Sequence, residues 1–219
     1  MDLPFDRQQF FDVFAAYNVA VWPAQIVLTA LAIAIAAGVA MRPERAGRWV
    51  SLGLAALWTW MALAYHLAFF RAVNPAAPAF AALCLGTAAA FAILGAWRAG
   101  LTFRPARDAR AIAGWAMVGY ALVGYPFVGA LSGHAFPGAP TFGLPCPTTL
   151  FTVGLLSLAA PGLHRALVVG PLAWSLIGGT AAFALEVPQD YGLFVAAAFG
   201  IGLLLPGARG ARRGGVPTT

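Results

Sequence analysis

Seven long apolar stretches, at residues 19–41, 49–70, 76–97, 112–131, 148–160, 167–185 and 191–205, fill most of this chain and leave few folds open to it. An α-helix needs ~20 apolar residues to cross a bilayer, within a range of about 17–25. The first four stretches and the sixth reach that length. The fifth and seventh are short and need flanking residues, or protein neighbours around their ends. The apolar residues come in blocks rather than on one face of amphipathic elements, and 61% of the 219 residues are hydrophobic while 9% are charged. A soluble domain carries roughly 25% charged residues, and one of this size could not hide so much apolar surface in a single core. The expected fold is therefore an all-α integral membrane protein. Seven transmembrane helices occupy 19–206, an N-terminal interfacial helix precedes them at 1–18, and a flexible basic cytoplasmic tail follows at 207–219.

The charges orient this bundle. All thirteen basic residues are arginines, which excludes any lysine Schiff base and with it a retinal-type photoreceptor. With seven crossings, Arg42, Arg45, Arg48, Arg98, Arg104, Arg107, Arg110, Arg165, Arg209, Arg212 and Arg213 share one side, and only Arg7 and Arg71 take the other. Cytoplasmic loops hold the excess of positive charge, so the N-terminus is expected outside and the C-terminus in the cytoplasm of a cell (inner) membrane. Six crossings would split the arginines seven against six and leave no orientation signal. Arginines confined to short loops between apolar spans are topology signals rather than a nucleic-acid surface; membrane lipid is the expected partner and nucleic acid is not. Asp2, Asp6, Asp12, Glu186 and Asp190 fall on the outer side, which favours cations near that face.

The acidic N-terminus does not suit a signal peptide. Asp6 can cap a helix, and Phe10, Phe14 and Tyr17 recur at spacings of four and three, the pattern of a helix lying in the interface with its aromatic side among headgroups. The tryptophans, mostly near span ends, read as an aromatic belt. The glycines of GWAMVGYALVGYPFVG, five residues apart, suggest close helix packing.

Polar side chains within or beside spans mark function by default, and here they gather on the outer side: Gln25, His66, Asn74, His134, Cys146, Thr148, Glu186 and Asp190. Between the fourth and fifth stretches runs SGHAFPGAPTFGLPCPTT, with four prolines, three glycines and no charge. That mixture makes a rigid, irregular backbone, and Phe136, Phe142 and Leu144 make it apolar enough to dip between helices, where irregular backbone is tolerated if protein surrounds it. Thr148 and Thr149 then stand where they could cap a helix beginning inside the membrane.

Several readings fit these residues. They form an outward-facing polar vestibule of a transporter or permease for a small solute or cation. Alternatively, His66, His134, Cys146 and Glu186 hold a transition metal in a membrane enzyme acting at the outer face, although their spacing follows no compact ligand motif. Cys146 with His134 could form a thiol and base pair, and a membrane partner subunit without chemistry would use the polar groups only for packing.

The segments FDVFAAYNVAVWPAQ, NPAA, GYPFVG, GHAFPGAPTFGLPCPTTLFTVGLL, PLAWSLIGGTAA and PQDYGL together resemble a bacterial family of small multi-pass membrane proteins catalogued as a domain of unknown function. The resemblance covers nearly the whole chain, with FGLPCPTTLFT its most specific part. It implies a stand-alone integral membrane protein and transfers no catalytic or binding residue.

Overall fold

Asp6 opens the first helix: its carboxylate accepts from the Gln9 backbone N–H at 2.8 Å, while the Gln9 side chain accepts from the Asp6 N–H at 2.9 Å. This capping box sets α1, Arg7–Ala20. The computed structural model describes residues 4–103 and 107–205, and among these there is no β-strand, only two isolated bridges. Residues 1–3, the tail at 207–219, and Arg104, Arg209, Arg212 and Arg213 lie outside the described residues.

The aromatic side of α1 turns inward, not toward headgroups as expected. Phe10, Phe14 and Tyr17 are buried with Phe5, Tyr65 and Phe70 in one aromatic cluster. The turn after the second span presents rings of its own, and edge-to-face contacts such as Phe10 on Phe70 at 6.3 Å satisfy both sides.

Five helices are long and apolar enough to cross a membrane. They are α2 (Ala24–Met41); α3 (Pro43–Trp60), which runs on through a π-helical stretch (Met61–Leu67) and a short 3-10 turn (Phe70–Ala72); α4 (Ala77–Ala90), extended by π-helical Phe91–Trp97; α5 (Ala109–Gly119), which passes through π-helical Tyr120–Gly124 into α6 (Tyr125–Leu131); and α8 (Ala166–Ala184). The two short stretches form α7 (Pro145–Ser157) and α9 (Gly192–Leu204), of 13 residues each, or roughly 20 Å.

α7 is the axis of the molecule. Every residue in it except Cys146 is buried, between α5, α8 and α9. Threonine capping does not start it, contrary to expectation. The helix begins at Pro145, three residues before Thr148, and Thr148 instead donates its backbone N–H to Leu144. Prolines at 145 and 147 carry no N–H, so two of the donors that a helix start would orphan do not exist. The loop before it does dip inward, with Phe142 and Leu144 buried. Gly143 has φ +97°, and a Cβ there would lie 2.4 Å from Leu28 on α2, so only glycine fits.

α8 and α9 pack antiparallel, with Gly178 meeting Leu193 and Gly200 meeting Leu172. Of the four glycines spaced by five, Gly114 alone sits at a tight helix crossing, where a Cβ would come within 2.9 Å of the Gly154 carbonyl. A five-residue step turns a helix by about 140°, so such positions do not share a face. The belt reading of the tryptophans also needs correction: Trp58 and Trp174 are core residues, and Trp58 donates to Thr152 Oγ1 at 3.1 Å.

The bundle has two unlike ends. α1, the turn after α3, the 132–144 loop and the 185–191 turn share one, with Arg7 and Arg71. The other carries Arg42, Arg45, Arg48, Arg98, Arg107, Arg110 and Arg165. There the loops lock backbone to backbone. Phe103 bridges to Ala159, and Ala160 N–H donates to Thr102 at 2.8 Å, His164 N–H to Gly100 at 3.2 Å. Arg110 Nη2 donates to the Ala159 carbonyl at 2.6 Å, just past the C-terminus of α7, where a cation is favoured.

Candidate functional site

At the end capped by α1 lies a cavity of about 730 Å³. Its walls are apolar and rich in rings: Phe10 and Phe14 from α1, Tyr65 and Phe70 from the end of the second span, Phe80 from α4 and Trp174 from α8. The rim includes the exposed Ile177, Phe183 and Phe194, so the cavity opens sideways past α8 and α9. Among these apolar surfaces stand polar side chains, including those of Asn74, Tyr125, Cys146 and Asp190.

Asp190 is the distinctive one. It sits in the 3-10 turn Pro188–Tyr191 between α8 and α9 and is 2% exposed. The Tyr125 hydroxyl donates to its Oδ1, and the Cys146 thiol lies against the same carboxyl. Burial pushes the carboxyl from its ordinary 3.8 up to about 6, which those two contacts offset only in part. The group can therefore exchange charge near neutral pH inside an apolar chamber. The Trp174 indole N–H is buried and without a hydrogen-bond partner, with the Cys146 sulfur close by.

Two π-helical stretches shape the site. Met61–Leu67 carries Tyr65 and His66, and Tyr120–Gly124 delivers Tyr125 and orients Tyr120, whose hydroxyl donates to the Gln189 carbonyl at 2.7 Å. Such widened turns shift side chains off the α-helical register and recur at functional sites.

The eight residues expected in one vestibule divide into several places. Asn74, Cys146 and Asp190 do meet in the aromatic cavity, where the Asn74 side chain also accepts from the Ala76 N–H at 2.9 Å and so shapes the start of α4. Gln25 and His134 line a different cavity of about 510 Å³, between α2 and the α5–α6 span; Tyr125, Pro140 and Pro147 separate the two chambers by bordering both. His66 is fully buried behind the aromatic wall, its ring 5.0 Å from that of Trp174 and 5.8 Å from that of Phe80, with neither nitrogen hydrogen-bonded. Thr148 is buried inside α7, its hydroxyl unpartnered. Glu186 points outward and pairs with Arg7 at 3.6 Å; its φ of +53° turns the chain sharply at the end of α8. The four-residue metal set is thus dispersed, and among the described residues no three His, Cys, Asp or Glu side chains converge as a metal site.

Asn18, at the end of α1, fastens the proline-rich loop over both chambers. Its side-chain N–H groups donate to the carbonyls of Pro137 at 2.6 Å and Ala139 at 2.7 Å, and its oxygen accepts from Thr141 Oγ1 at 2.7 Å. Gln25 in turn donates to the Asn18 carbonyl at 2.8 Å.

A family model described as a family of unknown function (DUF6064) matches residues 7–214. The chain belongs to that family. The match covers the stretch on which the resemblance to an uncharacterised family rests, and no curated protein or solved structure matches the chain.

Sequence reasoning missed four residues that matter in this DUF6064 protein. Tyr125 and Trp174 lie inside apolar runs and read as ordinary span aromatics. Gln189 and Asn18 sit at element ends, where polar residues are common. For Asp190 and Tyr125 a usable signal did exist: an acidic residue in a short apolar turn needs a donor, and Tyr125 stands just before Pro126 at the same end of the bundle.

Proposed function

We propose that this DUF6064 protein binds an amphiphilic organic cation in the Asp190 cavity and acts as a multi-pass transporter or permease for such solutes. One observation carries the reading: a buried, ionisable carboxyl stands in a largely apolar chamber rich in aromatic rings. Ring faces attract cations, more so when desolvated, and a carboxylate in low-dielectric surroundings adds a directed charge interaction. The sideways rim of apolar side chains suits entry from the outer leaflet. The proposal takes α7 and α9 as crossings additional to the five long helices, α1 as an interfacial helix, the N-terminus as outside and the membrane as the inner one. The arginine partition supports that orientation, and so does α7, which runs from the capped end to the arginine end.

Cation and proton then compete for Asp190. Purified protein should bind tetraphenylphosphonium about tenfold more tightly at about pH 7.5, where the carboxyl is charged, than at about pH 5. Tetraphenylborate, of the same shape and opposite charge, should bind weakly at both. Asp190→Asn should remove the pH dependence and most of the affinity. Equal binding of the two probes, or an unchanged pH profile in the variant, overturns the cation reading. Proteoliposomes that bind the phosphonium but accumulate it no faster than empty vesicles overturn transport while leaving binding intact.

A further inference from the structure

We propose that the Asp190 cavity favours organic cations that carry a neutral carbonyl oxygen a few bonds from the charge, as in an amino ketone or amino ester, and that Tyr65 and Asn74 donate hydrogen bonds to that oxygen. The inference rests on the cation reading and narrows its substrate class.

The two donors are set by their surroundings. Asn74 lines the cavity and is 7% exposed. Its side-chain oxygen accepts from the Ala76 N–H at 2.9 Å, which turns the amide so that the nitrogen faces away from that contact. Among the described residues the nitrogen has no hydrogen-bond partner, yet it is not sealed off as both nitrogens of His66 are. Tyr65 lines the same cavity, its ring stacked on Phe70 at 5.4 Å and edge-on to Tyr17 at 5.7 Å. Its hydroxyl is likewise unpartnered among the described residues and unsealed, and it lies within electrostatic reach of Asp190 and Cys146. Rigid packing of the ring fixes where that hydroxyl stands.

The cavity offers these donors little to bond. Its carboxyl is already claimed by the Tyr125 hydroxyl and the Cys146 thiol. Water can serve the donors in the empty protein, but a guest that displaces water must replace its hydrogen bonds or lose affinity. A site with polar groups placed for a partner discriminates against an analogue that leaves them unpaired. The oxygen best suited is a carbonyl: it has two lone pairs, so one atom can accept from both donors, and it brings no proton of its own. A second carboxylate would be repelled by Asp190, so the acceptor is neutral. A cavity of about 730 Å³ holds a drug-sized molecule, enough for a charged amine at Asp190 and a carbonyl at the two donors together.

The test measures equilibrium binding of two labelled amines to the full-length protein in phosphatidylcholine nanodiscs at about pH 7.5. One is a diethylamine joined through three methylenes to a phenyl ketone; the other has the same skeleton with the ketone replaced by methylene. The ketone is the less apolar of the pair, so partition into lipid works against it. It should nevertheless bind about tenfold more tightly, the worth of two hydrogen bonds. Tyr65→Phe keeps the ring in its cluster and should cut that ratio about threefold or more. Equal affinities in the wild-type protein, or tighter binding of the methylene analogue, overturn the proposal while leaving the cation reading intact. A ratio unchanged in Tyr65→Phe overturns the role given to Tyr65. Binding of neither amine overturns the proposal as well, and tetraphenylphosphonium on the same sample then shows whether the cation reading falls with it. Should the variant fail to fold, the wild-type ratio decides alone.

Discussion

The two ends of the bundle solve the same problem in opposite ways. Each must satisfy loop backbone that no helix ladder accounts for. At the arginine-rich end the loops pair with each other, Phe103 with Ala159 and His164 with Gly100, and the Arg110 guanidinium meets the Ala159 carbonyl just past the C-terminus of α7. At the capped end side chains do the work: Asn18 holds two loop carbonyls and one threonine, and two chambers remain open beneath the loop. Backbone pairing closes a surface, whereas side-chain tethers hold a loop at a distance and leave volume under it. The contrast goes with the two ligand-sized chambers found at the capped end.

The heaviest blow to that contrast is Asn18→Leu. It deprives the Pro137 and Ala139 carbonyls and the Thr141 hydroxyl of a partner, at about 1 kcal/mol each for roughly 3 kcal/mol in all. The midpoint of unfolding in detergent should fall accordingly, and proteolysis should nick the 132–144 loop first while the 98–103 loop stays protected. Equal susceptibility of both loops would show that the ends do not differ in how they are held.

The architecture was far more legible in the sequence than this contrast. Apolar blocks and confined arginines announce a helical membrane bundle because the bilayer admits little else, and the Asp6 cap and inward-dipping Phe142 and Leu144 follow from local chemistry alone. What could not be read was the partition of the polar residues. Gln25, His134 and Asp190 share one end, yet Tyr125 stands between them, and its position depends on a π-helical turn that has no compositional signature. His66 looked like a vestibule residue because its sequence neighbourhood is interfacial; its burial depends on Phe80 and Trp174, which come from other helices. The short fifth stretch, by contrast, needs protein neighbours around its ends on length alone, and α7 is indeed surrounded by α5, α8 and α9.

Asp190 offers the next largest effect and works on stability as well as binding. Its carboxyl has a higher pKa in the folded chain, about 6 against 3.8 unfolded. Between those values the folded protein keeps a proton that the unfolded chain has released. Stability conferred by the neutral form is thus present at low pH and declines as pH rises through that window, by up to roughly 3 kcal/mol. Unfolding of the wild-type protein followed from about pH 4 to pH 7 should show this decline, and Asp190→Asn should flatten it. A wild-type curve with no slope there would mean that the chamber solvates the carboxyl as water does, and the difference between the two ends would shrink.

Smaller effects sharpen the comparison from the closed side. Arg110→Met removes one charge-assisted bond to the Ala159 carbonyl, and the expected loss is about 1 kcal/mol. Because the Phe103–Ala159 bridge survives, the loops at that end should stay protected from protease, in contrast to the Asn18 variant. Least of all should follow from Trp60→Phe, which deletes the donor to the Tyr17 hydroxyl at 2.7 Å. Burial already pushes that phenol up to about 12, with the indole N–H partly counteracting it. The hydroxyl therefore stays neutral and retains its own proton to donate, and the ring keeps its edge contacts with Tyr65 and Phe69. A loss of about 0.5 kcal/mol is expected. A drop in unfolding midpoint as large as that of Asn18→Leu would instead make the α1–α3 contact, rather than the Asn18 tether, the element that holds the capped end in place.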